Sequence, residues 1–318
     1  MVEVPIPKEK WTGKIGTTVI GAVAEEGGTR AKKVVIGGQS CMPFLSFEAP
    51  ILNRPAIAGE VVDTLRDYPP LARKAFGDVV EDPVQWAKAW VEKYGVDLIC
   101  LKLYSTNPEE ENKSPQEAAD LVRKILAAVP VPLVVYGCGH EEKDAKVMEA
   151  VSNAGSKERL LLGHAEESAY KSIAAASMAN NHALIAFSNL DINLAKQINI
   201  LLTDFGVRKE NIVADPLMAS LGMGLEYSYS VNERIRLAAL MGDSMLQVPM
   251  VCDTTIAWKA REATEENESL GDIEVRAAWW EATTGLAALI SGADMLIMRS
   301  PKAVQIIKKA INELLGGA

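Results

Sequence analysis

Eight short apolar runs recur along the chain, each followed by a stretch of helical periodicity, and most of them break into polar residues. They cover residues 55–62, 97–103, 132–136, 160–163, 183–187, 212–214, 248–252 and 295–298. Runs this short, with nearly every position apolar, read as strands covered on both faces. Between them the chain carries helix punctuation. Asp82-Pro83 opens a helix on which Ala87, Trp90, Val91 and Tyr94 share one face, and Gly95 stops it. Ser114-Pro115-x-Glu117 joins a capping box to a proline at the first helical position, and Leu121, Val122, Ile125 and Val129 supply the apolar face until Pro130. Asp191 is placed to cap a helix over 192–205 that Gly206 ends. Ser230-x-x-Glu233 reads as a second capping box, and Pro301 marks the start of the last helix.

Helices between consecutive strands force parallel pairing through right-handed crossovers, and a parallel sheet must be covered on both faces or closed on itself. Eight units predict closure, so residues 55–318 are expected to form a (β/α)8 TIM barrel. Residues 1–54 read as an N-terminal extension with a β-hairpin. Its strands are expected over 17–23 and 32–36, joined through Glu25-Glu26-Gly27-Gly28-Thr29. Such a hairpin either plugs the amino-terminal end of the barrel or extends a partner surface. The structural alternative, a doubly wound open sheet, wants a Gly-rich phosphate turn after an early strand, and no G-x-G-x-x-G stands there.

The net charge of −9 repels phosphate backbones and anionic bilayers, which argues against nucleic acid and membrane as partners. No basic start leads into a long apolar stretch, and no run approaches the ~18 residues of a membrane span, so a cytoplasmic protein is expected. Cys41, Cys100, Cys138 and Cys252 are far apart and form no C-x-x-C pair, so reduced thiols are expected rather than a zinc or iron–sulfur site. With three histidines in all, no metal site is expected.

In a barrel the carboxyl ends of the strands share one face, and ligands bind there. Those ends carry Asp63 and Thr64; Lys102, Tyr104 and Ser105; Gly137-Cys138-Gly139-His140; His164 and Glu166; Ser188, Asn189 and Asp191; Asp215-Pro216; Asp253-Thr254-Thr255; and Arg299 with Ser300. Asp215 and Asp253 are the strongest candidates, because an aspartate directly after an apolar run is costly unless it binds something. Asp191 reads as a helix cap. Lys102 reads as the partner of a neighbouring carboxylate rather than a Schiff-base lysine, and Cys138 as a packing residue rather than a reactive thiol. His140 and His164 stand equally as solvated loop residues and as ligand contacts. A phosphosugar site would need Gly-rich turns after the seventh and eighth strands, where this chain has Asp253-Thr254-Thr255 and Arg299-Ser300-Pro301-Lys302. Arg299 alone is suited to an anion. The loop over 216–229, with Leu221, Met223, Leu225, Tyr227 and Tyr229, suits a flat hydrophobic ligand or a protein partner, or simply packs over the barrel top. The stretch over 258–271, with Glu262, Glu265, Glu266 and Glu268, reads as solvated.

Three long stretches carry a family resemblance. Residues 211–230, NIVADPLMASLGMGLEYSYS, lie between 183–193, ALIAFSNLDIN, and 250–255, MVCDTT. Together they resemble the small subunit of the corrinoid/iron–sulfur protein, whose archaeal counterpart is the delta subunit of acetyl-CoA decarbonylase/synthase. The resemblance runs from the hairpin through the last helix. It implies a barrel that pairs with a large subunit, which carries the [4Fe–4S] cluster and the main corrinoid domain, and whose carboxyl end helps enclose the corrinoid (cobamide). The pair would receive a methyl group from methyltetrahydrofolate through a separate methyltransferase. It would deliver that group to acetyl-CoA synthase in the reductive acetyl-CoA (Wood–Ljungdahl) pathway. The chain lacks a D-x-H-x-x-G cobalamin motif, so the resemblance implies no axial histidine and no bond chemistry by this chain alone. Corrin side-chain amides donate and accept hydrogen bonds, which suits Ser188, Asn189, Asp215, Asp253, Thr254 and Thr255, with His164 and Arg299 on the same face. The enzyme alternative is a pterin-dependent methyltetrahydrofolate:corrinoid methyltransferase, and a third reading is a scaffold subunit with a vacant mouth.

Overall fold

In the computed structural model, which describes residues 6–316, the eight expected strands form one parallel sheet. The extreme ends of the two predicted segments, residues 1–5 and 317–318, lie outside the described residues. A separate two-stranded antiparallel sheet pairs β1 (Thr17–Ile20) with β2 (Val34–Gly37). The barrel strands are β3 (Ala56–Val62), β4 (Leu98–Lys102), β5 (Leu133–Tyr136), β6 (Leu161–Ala165), β7 (Ala183–Phe187), β8 (Ile212–Asp215), β9 (Val251–Asp253) and β10 (Met295–Met298). They are ordered β8-β7-β6-β5-β4-β3-β10-β9, and a parallel bridge between Ala214 and Met250 brings β8 back beside β9. The barrel is closed in all but a full ladder at that seam.

Among the described residues there are ten α-helices: α1 (Pro70–Arg73), α2 (Pro83–Tyr94), α3 (Pro115–Ala128), α4 (Glu141–Ala154), α5 (Tyr170–Ala179), α6 (Ile192–Phe205), α7 (Leu225–Leu240), α8 (Arg261–Thr264), α9 (Ile273–Ser291) and α10 (Pro301–Leu314). Their starts follow the local chemistry. The Asp82 carboxylate accepts from Val84 N at 2.8 Å, Ser114 and Glu117 form the expected capping box, and Asp191 accepts from Asn193 N at 2.7 Å and Leu194 N at 3.2 Å. One start differs. Ser230 lies inside α7, which begins five residues earlier after Gly224 at φ +95°. That glycine turns the loop directly into the helix, and the buried Ser228 ties loop to helix by bonding Ala219 N and the Leu217 carbonyl.

Strand parity divides the apolar side chains into two cores. Residues such as Ile57, Ile99, Leu101, Val135 and Leu296 point outward against the helices. Ala56, Ala58, Leu98, Cys100, Val134, Leu161, Ile185, Val213, Val251 and Ile297 fill the barrel interior. Ile20, Val34 and Ile36 of the hairpin belong to this inner core, which decides what the sequence left open: the hairpin plugs the amino-terminal end. Gly21 N bonds the Arg159 carbonyl, Ala31 N that of Pro130 and Gly16 N that of Gln247, all just ahead of barrel strands. The Arg30 guanidinium reaches the carbonyls of Leu126, Val129 and Val131 and pairs with Glu158 at 2.8 Å. With one end stoppered, only the carboxyl end is left as a mouth. Among the described residues, no helix is long and apolar enough to cross a membrane.

Candidate functional site

Counting by twos along the strands leads from the apolar interior into a charged layer. Ala56 and Ala58 are followed inward by Glu60, Leu98 and Cys100 by Lys102, Val213 by Asp215, Val251 by Asp253, and Met295 and Ile297 by Arg299. Lys102 Nζ lies 2.7 Å from Glu60, 2.6 Å from Asp253 Oδ2 and 3.1 Å from Thr255 Oγ1. Arg299 clasps the same Glu60 through Nε at 2.5 Å and Nη2 at 3.0 Å. Two cations and two carboxylates thus neutralise one another inside the barrel. The cations hold the fully buried Glu60 carboxyl at about 2 despite burial, and Asp253 and Glu60 hold Lys102 charged well above its ordinary range against its own burial. A lysine so held is no free amine for a Schiff base.

The local frame around Glu60 is tight. Trp90 Nε1 on α2 donates to its carbonyl at 2.7 Å, and a Cβ at Gly59 would stand 2.5 Å from the Trp90 ring, so only glycine admits the indole there. Neighbouring Arg299 lies over the Tyr68 ring at 4.7 Å. Behind it, Glu281 on α9 accepts from Arg299 N at 2.6 Å, Ser300 N at 2.9 Å and Trp258 Nε1 at 2.9 Å. A carboxylate of the chain itself therefore sits where a barrel would hold a phosphate, on the amides ahead of α10. Burial still pushes it up to about 7.

The other half of the mouth is aromatic and less committed. His164 stacks on Phe187 with centroids 4.7 Å apart and meets Tyr136 edge-on at 5.7 Å. The Tyr136 hydroxyl donates to Asp215 Oδ2 at 3.4 Å, and Leu217 N donates to the other oxygen at 3.0 Å. Burial raises the Asp215 carboxyl to about 6, with His164 pulling it down and Asp253 pushing it up. Ser188 is wholly buried and its hydroxyl has no partner among the described residues, while Asn189 beside it is exposed.

Seven of the eight predicted contact residues, namely His164, Ser188, Asn189, Asp215, Asp253, Thr255 and Arg299, come together at the mouth. Thr254 is at the same strand end, but its hydroxyl is committed to the Ile297 carbonyl at 2.9 Å. Asp191 and His140 serve as helix caps, and the Cys138 amide and thiol both lie against Asp144. The loop after β8 packs over the barrel top, tied to α9 by Trp280 Nε1 on the Leu221 carbonyl at 2.8 Å, and leaves Met223 and Tyr227 exposed. The carboxylates of the stretch after Trp258 are exposed, whereas Trp258 itself is buried. Two carboxylates of the site escaped the sequence reading, as did the Tyr136, Phe187 and Tyr68 rings. Glu60 had the signal already applied to Asp215 and Asp253, a carboxylate inside an apolar strand, but was hidden in the middle of its run. Glu281, in a long helix, had none.

The model of the CO dehydrogenase/acetyl-CoA synthase delta subunit matches residues 18–311. Delta subunits of the acetyl-CoA decarbonylase/synthase complex are similar throughout. That of Archaeoglobus fulgidus is 37% identical over 97% of this chain and 70% of its own length, and that of Methanocaldococcus jannaschii 39% over 95% and 75%. Among solved structures, a dihydropteroate synthase from Coxiella burnetii in complex with pteroic acid superposes with a TM-score of 0.59 at 13% identity, covering 94% of this chain and 99% of that one. At that identity the likeness concerns the barrel alone.

Proposed function

The chain belongs to the CO dehydrogenase/acetyl-CoA synthase delta subunit family, and we propose that it serves as the barrel subunit of a methyl-carrying assembly, its mouth closing over a corrinoid held mainly by a larger partner. The observation that carries this reading is the division of the mouth. The charged groups in its floor are tied to one another, which leaves no free nucleophile or base there. Uncommitted hydrogen-bonding groups and aromatic faces stand along the β5–β7 side.

The residues fit such a ligand. Ser188 offers a buried hydroxyl without a partner and Asn189 an exposed amide, both complementary to corrin side-chain amides. The Asp253 carboxylate and the Thr255 hydroxyl, both engaged by Lys102, border this wall, and His164, Phe187 and Tyr136 present apolar ring surface that excludes water. Asp215 supports this wall from below, and Thr254 fixes the strand end from behind. When bound, the corrinoid supplies the cobalt that carries the methyl group. This chain's residues bind its periphery, orient it toward the opening and keep the enclosure dry. The assembly takes the methyl group from methyltetrahydrofolate through a methyltransferase and passes it to acetyl-CoA synthase, with the iron–sulfur cluster in the large subunit.

The test is the assembled complex, purified with its partners and read by its visible corrinoid spectrum. Ser188→Ala combined with Asn189→Gly lowers corrinoid retention several-fold while leaving subunit assembly intact. Retention and methyl transfer both at the wild-type level would leave the chain as a scaffold. The isolated chain transfers no methyl group from methyltetrahydrofolate to free cobalamin; turnover there would establish the pterin-dependent methyltransferase instead.

A further inference from the structure

The side of the mouth over β10, β3 and β4 holds a cleft of about 330 Å³ that the corrinoid reading leaves unused. Its charged lining is Arg66, Lys259 and Arg299 against Asp67 and Glu110, with Arg299 already balanced by Glu60. The two outer cations are only loosely engaged by their neighbours. Lys259 is exposed and forms no ion pair among the described residues, and Arg66 meets Glu110 only at 4.0 Å. Arg299 gives Nε and Nη2 to Glu60, which leaves Nη1 open, without a hydrogen-bond partner among the described residues. Tyr68, 5% exposed, lines the same cleft beneath that guanidinium, and its hydroxyl has no partner either. An orphaned buried hydroxyl is costly and rare, so Tyr68 beside the open edge of Arg299 points to a group that completes it. The remaining walls join apolar Val62, Pro69 and the half-open ring of Tyr104 to Thr64, Asn107 and Cys138.

We propose that this cleft binds a small molecule carrying one carboxylate or phosphate group on a flat apolar frame. Arg66, Lys259 and the free edge of Arg299 meet the anion, and Tyr104 meets the frame. Arg299 suits the task because Glu60 fixes its plane, so the guanidinium loses little freedom on binding. The cleft volume lies in the ordinary range for small-molecule sites.

Calorimetric titration of the full chain with phenyl phosphate, benzoate, inorganic phosphate and phenol tests this. Saturable binding of phenyl phosphate or benzoate is expected, weaker binding of inorganic phosphate and none of phenol. Lys259→Gln and Arg66→Gln, both at exposed positions, each weaken binding about tenfold, the usual scale of a charge-assisted hydrogen bond. Tyr68→Phe weakens it without lowering the melting temperature, which separates a ligand contact from a structural one. No saturable binding, equal affinity for phenol or inorganic phosphate, or unchanged affinity in both cation variants would overturn the proposal. Corrinoid retention by the assembled complex distinguishes two sources of the anion. It is unchanged in Lys259→Gln and Arg66→Gln if the ligand is a free molecule, and it falls if the phosphate is that of the corrinoid's own nucleotide tail.

Discussion

Glu60 is the residue on which the mouth depends, because two cations share its two oxygens in a site closed to water. Glu60→Gln leaves Arg299 with no carboxylate and Lys102 with Asp253 alone, and breaking a buried pair by removing one partner costs about 3–5 kcal/mol. The drop is read from the denaturant midpoint; a variant within 1 kcal/mol of wild type would mean that water compensates the cations. The titrating carboxyls act in opposite directions. Glu60, depressed from 4.5 to about 2, lends stability that is present above about pH 4.5 and lost as the pH falls toward 2. Asp215 and Glu281, raised to about 6 and about 7, lend stability that is present below their ordinary values and lost as the pH rises through 6 to 7. Wild type should therefore lose ground to Asp215→Asn between about pH 3 and pH 7 by on the order of 3 kcal/mol, the worth of a shift of about two pH units from 3.8 to about 6. Parallel stability profiles for the two proteins would place Asp215 in contact with water. At this scale Asp215, Asp253 and Lys102 were legible, since a charge at the end of an apolar run must be compensated. The identity of the compensating groups was not, because Glu60, Lys102, Asp253 and Arg299 are brought together only by closure of the sheet.

The elements follow local rules where the rules are local. Caps at Asp82, Ser114 and Asp191 set their helices as the sequence reads, and strand parity sorts inward from outward side chains without reference to the rest of the chain. The start of α7 departs because a left-handed glycine and a buried serine outweigh a capping pattern five residues on. The hairpin departs in a different sense. Its strands are local, whereas its seat in the barrel depends on hydrogen bonds to residues more than a hundred positions away, such as Gly21 on Arg159. Arg30 holds that seat with three backbone carbonyls and Glu158. Arg30→Met strips those acceptors and leaves a buried carboxylate unpaired, at a cost of about 3–5 kcal/mol. Amide hydrogen exchange should rise first in β1 and β2. Unchanged protection of the hairpin would assign its docking to Ile20, Val34 and Ile36 alone.

At the scale of the whole molecule, the plugged amino end and the charged floor leave a single open face, and the proposed assembly covers it. Cys138 provides a probe: it is half-buried at that face, while Cys41, Cys100 and Cys252 are buried. Alkylation of the isolated chain should therefore fall on Cys138 and slow at least several-fold once the partner subunits are bound, as mass spectrometry of the tryptic peptide would show. An unchanged rate would place the partners elsewhere. By itself the sequence determined eight strands, their alternation with helices, the closed parallel sheet and the family, because strand and helix periods are short-range and the matching stretches are long. Tertiary structure alone decided that the hairpin is a plug, that Glu60 and Glu281 occupy the positions a ligand would otherwise take, and that the Tyr68 hydroxyl is left without a partner among the described residues. Those outcomes depend on side chains far apart in sequence sharing one enclosed volume, where each charge or donor must find a partner and only the closed barrel fixes which partner is near.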